Sequence, residues 1–219
     1  MRTSLVTGAN RGIGLELCRQ LQARGDAVIA VCRRSSKELD ALKVKVEAGV
    51  DVSDEETVAT LKARLAGRRL DLLVNNAGIY EETTLDHLDF QSIRRQIEVN
   101  ALGPLRVTAA LLPLLADGSK IAIITSRMGS IGDNSSGGEY GYRMSKAAVN
   151  AAGVSLALDL RGRGIAIAII HPGLVNTDMT GHGMDPVHSV RGILARIDAL
   201  TLAGSGGFWH AITGERLPW

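Results

Sequence analysis

Tyr142 and Lys146 are the two residues whose types and spacing most directly suggest chemistry. They stand four positions apart, at the start of a segment with apolar residues at helical spacing. Residues four apart on a helix share a face, so the phenol and the ammonium should point the same way. A phenol has a free pKa of about 10, and a nearby cation lowers it. The pair is therefore a candidate general acid/base for interconverting a carbonyl and an alcohol; the alternative is a chance pairing on a solvated helix.

A second candidate site is the glycine-rich turn Gly8–Gly14, which follows the short apolar strand 3–7 and precedes an amphipathic helix. At a helix N-terminus the free N–H groups and the helix dipole favour an anion, and glycines let the backbone approach a phosphate closely. The spacing Gly-x-x-x-Gly-x-Gly differs from the commoner dinucleotide-binding spacing but meets the same need. The turn therefore predicts a dinucleotide-binding site.

Arginines follow the second strand, 27–31, where an acidic residue would bind a ribose 2′-hydroxyl and an arginine would accommodate a 2′-phosphate. The chain has Cys32-Arg33-Arg34 there, and Arg11 in the glycine turn adds a cation. This pattern favours NADPH over NADH. The alternative is that Arg33 and Arg34 merely begin a solvated helix.

Further polar residues follow other predicted strands. Asp51, which precedes Val52, is placed to approach an adenine or to form a turn. Asn75-Asn76-Ala77-Gly78 ends a buried strand, and Ser126 ends the strand 121–124. Because ligands bind at the carboxyl ends of parallel strands, we expect these residues to meet at one edge of the sheet.

Asn100 and His171 each allow a structural interpretation. Asn100 lies near Pro104 in a helix predicted from Asp89 to Leu115, so Pro104 should kink the helix. At such a break Asn100 either holds a water beside a free carbonyl or is a satisfied kink residue. His171, which precedes Pro172 at the end of a strand, is expected to be a hydrogen-bonded structural residue rather than a catalytic one.

The composition describes an ordinary globular domain. The 219 residues suffice for one sizeable core, and 45% hydrophobic residues are too many for a disordered chain. A net charge of +2, scattered basic residues and 3% aromatics argue against a nucleic-acid surface. No apolar run is long enough to cross a bilayer, and we expect no membrane association. Two cysteines, Cys18 and Cys32, form neither a metal-ligand spacing nor a disulfide framework, so a cytoplasmic location is expected.

The elements that must position these residues alternate along the chain. A Ser53–Glu56 capping box should open a helix that ends near residue 66. Nearly continuous apolar runs favour parallel strands buried on both faces. We predict an α/β fold, a single doubly wound Rossmann-type domain over residues 1–219, with helices on both faces of a parallel sheet of about seven strands. The predicted strands are 3–7, 27–31, 44–47, 70–74, 121–124, 165–170 and 206–209, and the last two helices are 142–160 and 187–202.

Taken together, the motifs resemble the short-chain dehydrogenase/reductase family nearly end to end. Its glycine motif appears as Thr7–Gly14, its adenine-side motif as Asn75–Gly78, and its Tyr-x-x-x-Lys pair as Tyr142 and Lys146. The segment Pro172–Thr177 matches the nicotinamide-side motif. The loop before Tyr142 and the closing residues 217–219 look most like the C-factor-like and sniffer-like branch, whose members bind NADP(H) and include carbonyl reductases.

The resemblance implies four catalytic residues. Tyr142 would give a proton to the carbonyl oxygen, and Ser126 would donate a hydrogen bond to that oxygen. Lys146 would lower the pKa of Tyr142 and bind the ribose, and Asn100 would hold a water linking Lys146 to solvent. Val175 and Thr177 would secure the carboxamide and the pyrophosphate. The residues expected to bind NADP(H) are Gly8, Asn10, Arg11, Gly12, Ile13, Gly14, Arg33, Arg34, Asp51, Val52, Asn76, Ala77, Gly78, Tyr142, Lys146, Pro172, Gly173, Val175 and Thr177, and no metal is expected.

Two departures from the family pattern concern the substrate side, assigned to residues 178–202. Only Asp178–Asp185 separates the nicotinamide-side motif from Pro186, which predicts an open site that accepts carbonyls of varied size. The loop 127–141 is long, and it forms either a pocket wall or a plain surface loop.

The expected partner is a small-molecule carbonyl substrate. Two alternatives stay open: a nucleotide-bound regulatory or signalling protein, and a 3-oxoacyl carrier-protein reductase, for which Arg127 and Arg143 are weak docking candidates. A homodimer through helices 90–115 and 142–160 is also open.

Overall fold

A computed structural model describes all residues from Met1 to Trp219 and contains one parallel sheet of seven strands. The strand order is β3-β2-β1-β4-β5-β6-β7, and the order reverses between β1 and β4. The predicted α/β architecture is therefore confirmed. The strands are β1 Thr3–Thr7, β2 Ala27–Val31, β3 Lys45–Glu47, β4 Leu70–Asn75, β5 Leu115–Ile124, β6 Ala166–His171 and β7 Gly207–His210.

Helices cover both faces of the sheet. They are α1 Gly12–Ala23, α2 Lys37–Ala41, α3 Glu55–Arg64, α4 Phe90–Ile97, α5 Gly103–Leu111, α6 Tyr140–Asp159 and α7 Pro186–Ala199. No helix is both long and apolar enough to span a membrane.

The core consists of two layers, one on each face of the sheet. In β6, Ile167 and Ile169 belong to the apolar layer that contains α3, α5 and α6, while Ala168 and Ile170 belong to the layer that contains α1 and α7. Both sets are buried because successive side chains of a strand point to opposite faces. This two-sided burial explains the nearly continuous apolar sequence of the strands.

The segment predicted as one kinked helix from Asp89 to Leu115 is three elements. Helix α4 continues through a π-helical turn, Glu98–Leu102, into α5, which ends at Leu111. The kink is thus absorbed by a wider turn just before Pro104. Leu115 already belongs to β5 and pairs with Leu70, so the prediction of a helix there is wrong.

Several other boundaries differ from the sequence prediction, including the last helix, which ends at Ala199 and not at residue 202; two of the differences have a clear physical reason. Asp54, not Ser53, caps α3, because its carboxylate accepts hydrogen bonds from Glu56 N and Thr57 N while the Ser53 hydroxyl donates to Asp51. Strand β5 begins six residues earlier than predicted, because its polar first half, residues 116–119, precedes the regularly paired part and gives no strand pattern.

Candidate active site

A cleft of about 1280 Å³ runs along the carboxyl edge of the sheet. It lies beside the point between β1 and β4 where the strand order reverses, which is where open α/β sheets bind ligands. The structure brings all the predicted site residues except Asn100 to the walls of this one cleft. The cleft therefore joins the glycine turn to the Tyr142 region. No cluster of three residues suited to a metal is present.

The glycine turn is shaped by backbone contacts that no larger residue fits. Gly8 and Gly12 have positive φ angles of 65° and 52°, a region that glycine enters without strain. A Cβ on Gly14 would lie 2.1 Å from the Gly8 carbonyl oxygen. Asn76 Nδ2 donates to the carbonyls of Thr7 and Gly8, which fixes the turn against the end of β4. The N-terminus of α1 thus faces the cleft without a side-chain cap, as binding of a pyrophosphate requires.

The arginines predicted to select the cofactor all line the cleft, but they have different partners. Arg33 Nη1 lies 3.7 Å from the Asp51 carboxylate, and 70% of its side chain is exposed. Arg11 instead forms an ion pair with Asp178 at 3.0 Å. Arg33 and Arg34 precede α2, so neither begins that helix. Arg33 and Arg34 are therefore the cations available at the end of the cleft near Asp51.

Three side chains from distant segments meet at the opposite end of the cleft. Ser126 follows β5, and Tyr142 and Lys146 lie in the first two turns of α6. Ser126 and Lys146 are only 8% and 5% exposed, and Tyr142 is half-buried. Lys146 Nζ donates to the Ile124 carbonyl at 3.1 Å and lies 5.6 Å from the centre of the Tyr142 ring. The four-residue spacing thus places both groups on one face, as predicted.

The pKa of Tyr142 differs from the sequence expectation. Burial raises it to about 12, and the neighbouring Ser126 hydroxyl opposes that rise. The expected lowering by Lys146 is not found: burial dominates, and Lys146 Nζ donates its hydrogen bond to the Ile124 carbonyl and makes none to the phenol oxygen. Tyr142 is therefore fully protonated at neutral pH and holds a proton that it can give.

Burial also lowers the pKa of Lys146 to about 8. Between pH 8 and 10.5 the unfolded chain binds more protons at this lysine than the folded chain, so the lysine makes stability rise with pH there. We expect the free energy of unfolding of the wild type, relative to Lys146→Met, to increase from pH 7.5 to pH 10. Urea unfolding of both proteins at the two pH values measures this difference. A constant difference would contradict the lowered pKa.

Asn100 does not reach the cleft. Its side chain is fully engaged: Oδ1 accepts from Ile79 N at 2.8 Å, and Nδ2 donates to the Ile79 carbonyl at 2.8 Å and to Ser145 Oγ at 3.0 Å. It thereby ties the π-helical turn to the segment after β4 and to α6. The structure supports the kink-residue interpretation, and the water-holding role stays a prediction.

His171 is at the end of β6, as expected, but the expectation of a hydrogen-bonded residue is wrong. Its Nδ1 is buried without a partner, and its ring packs edge-on against His210 with centroids 5.0 Å apart. Both histidines line the cleft. The hydrogen bond is missing because the ring faces another imidazole, a neighbour that the sequence pattern does not reveal.

Other cleft residues were missed by sequence reasoning. Tyr80 packs edge-on against Tyr142, with ring centroids 5.3 Å apart. Arg127 and Met128 line the cleft, whereas residues 131–137 are exposed, so only the start of the 127–141 loop forms a pocket wall. The Asn75–Gly78 motif placed Tyr80 near the sheet edge, but no signal in the sequence indicated its contact with Tyr142.

Comparisons with known proteins agree with this geometry. A family model described as short chain dehydrogenase matches residues 2–185. A 1-hydroxy-2-glutathionyl-2-methyl-3-butene dehydrogenase of Rhodococcus sp. (strain AD45) is 44% identical, with all of both chains covered. The C-signal protein of Myxococcus xanthus is 45% identical over 155 residues, which is 68% of this chain and 93% of that protein.

Solved structures are similarly close in fold. The NADPH-bound carbonyl reductase from chicken fatty liver superposes with a TM-score of 0.91 at 32% identity, covering 100% of this chain and 99% of that one. The carbonyl reductase Sniffer of D. melanogaster gives a TM-score of 0.92 at 29% identity, with both chains fully covered.

Proposed function

Because the chain belongs to the short-chain dehydrogenase family and is an oxidoreductase of that family, we propose that it reduces a small-molecule carbonyl to an alcohol with NADPH. The substrate would be an aldehyde, a ketone or a quinone, and Tyr142 would be the general acid. One observation carries this proposal. Ser126, Tyr142 and Lys146 line the same cleft as the glycine turn, where the N-terminus of α1 has no side-chain cap.

The cleft residues fit NADP(H) along its whole length. The uncapped N-terminus of α1 would hold the pyrophosphate, Arg33 and Arg34 the 2′-phosphate, and Asp51 and Val52 the adenine. Pro172, Gly173, Val175 and Thr177 would hold the nicotinamide half. The solved chicken carbonyl reductase contains NADPH, which supports this choice of cofactor. When bound, the cofactor supplies a hydride.

The chain's own residues would supply position, charge and a proton. Tyr142, protonated at neutral pH, would donate its proton to the carbonyl oxygen. The Ser126 hydroxyl would donate a hydrogen bond to that oxygen and stabilise the charge that develops there. Lys146 would hold the ribose hydroxyls, and its buried position keeps its ammonium beside the phenol. Asn100 would act indirectly, by fixing α6 against the segment after β4.

Loss of NADPH absorbance in the presence of a dicarbonyl, a quinone or a simple aldehyde tests the proposal. Turnover of several of these would also support the open site inferred from the short segment 178–185. Absence of turnover with all three classes would favour the regulatory or signalling alternative, which the likeness to the C-signal protein keeps in view. 3-Oxoacyl thioesters belong in the same assay, because the 3-oxoacyl carrier-protein reductase of Escherichia coli is 31% identical over 96% of this chain.

Alcohol oxidation is a second candidate direction. The Rhodococcus relative, whose whole length is matched, is named a dehydrogenase. The same Tyr142 oxygen that gives a proton in reduction would take one from the alcohol in oxidation, as a phenolate that has first lost its own proton. Assays with NADPH and a carbonyl, and with NADP+ and the corresponding alcohol, compare the two directions.

Arg33→Gln is expected to weaken NADPH binding about 10-fold, since one exposed charged contact to a phosphate is worth roughly 1.4 kcal/mol. NADH binding should be unchanged, because NADH lacks the 2′-phosphate. Fluorescence titration of both cofactors measures the effect. Arg69→Gln is the matched control, because Arg69 lies outside the cleft. An equal loss for NADH and NADPH would contradict the assignment.

A homodimer and a cytoplasmic location stay predictions. Sedimentation of the purified protein measures the first, and fractionation of the cells that make it measures the second.

A further inference from the structure

The substrate end of the cleft carries polar groups that the proposed reaction does not use. Beyond Ser126 and Tyr142, the wall continues across the ends of β5, β6 and β7 and presents Arg127, His171 and His210. Tyr142 and Ser126 act on the reacting carbonyl. The three remaining groups would therefore lie beside a part of a bound substrate other than the carbonyl.

Arg127 is held in one orientation with part of its guanidinium still available. Its Nε lies 2.6 Å from the Asp133 carboxylate, and half of the side chain is exposed. Asp133 is itself positioned, since its backbone N–H donates to Ser130 Oγ. Asp133 is the single ionic partner of Arg127, and it engages the Nε edge. A guanidinium has five N–H donors, so its terminal Nη groups are left to bind a ligand in the cleft.

His171 beside it is neutral. Burial, His210 and Arg127 lower the pKa of His171 to about 3. Its Nδ1 is buried and makes no hydrogen bond. The neutral ring therefore places no charge of its own beside Arg127 at this end of the cleft.

Cationic residues outnumber carboxylates on the walls of the cleft. Its two carboxylates are Asp51, at the adenosine end near Arg33, and Asp178, which pairs with Arg11. No carboxylate lines the cleft beside Tyr142. The five cationic residues on its walls are Arg11, Arg33, Arg34, Arg127 and Lys146.

We propose that the substrate is a carbonyl compound bearing a carboxylate, and that Arg127 binds this carboxylate through its Nη groups, with the His171 ring alongside. The proposal rests on the proposed function and deepens it. The planar guanidinium matches a carboxylate in a paired hydrogen-bond geometry, which a lysine does not reproduce.

The test compares acids with their uncharged esters. Pyruvate, 4-oxopentanoate and 5-oxohexanoate are each assayed beside the corresponding methyl ester, so that distance from the carbonyl also varies. For the wild type, kcat/KM for the best acid should exceed that for its ester about 10-fold to 100-fold, the value of one charged pair. In Arg127→Gln the ratio of kcat/KM for the acid to kcat/KM for its ester should fall to about one. The value of kcat/KM for the ester should stay at that of the wild type. Arg127→Lys should restore only part of the preference for the acid.

Arg69→Gln is the matched control and should keep the full preference, because Arg69 lies outside the cleft. Activity on the esters shows that each variant is folded. If the wild type reduces acids and esters at equal rates, the carboxylate site is overturned. The proposed carbonyl reductase activity is then still supported. A preference that survives in Arg127→Gln would overturn the role of Arg127.

If none of these compounds is reduced, the result counts against the proposed function. The carboxylate site is then tested by ligand binding instead of turnover. The shift in Tm caused by 4-oxopentanoate, with NADP+ present, is then compared with that caused by its methyl ester. A shift that is specific to the acid and lost in Arg127→Gln supports the carboxylate site. Equal or absent shifts overturn it.

Discussion

Tyr142→Phe is expected to lower kcat for carbonyl reduction on the order of 10²- to 10⁴-fold, the usual contribution of a positioned general acid. The substitution removes the one hydroxyl that holds a proton beside Ser126 at the end of the cleft. A phenylalanine ring keeps the edge-on packing against Tyr80, so the fold and the cofactor cleft should be unaffected. Steady-state kinetics and NADPH titration of the same preparation measure both effects.

Tyr140→Phe is the matched control, because Tyr140 begins the same helix but does not line the cleft. It should keep wild-type turnover and wild-type NADPH affinity. Near-normal activity of Tyr142→Phe would show that Tyr142 is not the general acid. Loss of NADPH binding together with turnover would instead mean that the hydroxyl serves mainly to bind the cofactor.

Gly14→Ala should destabilise the protein and abolish tight NADPH binding. The new Cβ would lie 2.1 Å from the Gly8 carbonyl oxygen and 2.6 Å from Asn76 Nδ2, so the backbone of the glycine turn must move. Overpacking of this kind costs about 3 kcal/mol, which lowers Tm by roughly 6–12 °C in a domain of this size. Thermal unfolding and fluorescence titration with NADPH measure the two effects separately.

Gly162→Ala provides the control, because nothing lies within 4 Å of a Cβ at that position and Gly162 has no positive φ. Its stability should stay within about 0.5 kcal/mol of the wild type. If Gly14→Ala binds NADPH normally, the glycine turn does not hold the pyrophosphate. If it is stable but does not bind, the contact with Asn76 shapes the turn without supporting the fold.

Some features could be predicted because they depend on neighbouring residues. The strand Thr3–Thr7, the glycine turn and α1 form one continuous segment, and each local preference agrees with the final structure. The spacing of Tyr142 and Lys146 needs only a helix to place both on one face. Strands such as β6 could be recognised because burial on both sides leaves a continuous apolar run.

Other features depended on contacts between distant segments. The helix predicted through Leu115 ended early, because β5 begins there and Leu115 pairs with Leu70 on β4. Arg11 points to Asp178, which is 167 positions away. The pKa of Tyr142 rises because surrounding segments bury it, an effect that its immediate sequence does not encode.

By itself the sequence determined the order of the elements, the parallel sheet and the residues expected at its carboxyl edge. These follow from periodicity, turn chemistry and spacing, which act over a few residues. Only the tertiary structure decided which polar groups share the substrate end of the cleft, where Arg127, His171 and His210 meet from three separate strand ends. Side-chain neighbours at strand ends depend on how the strands are ordered across the sheet, and that order is set by packing of the whole domain.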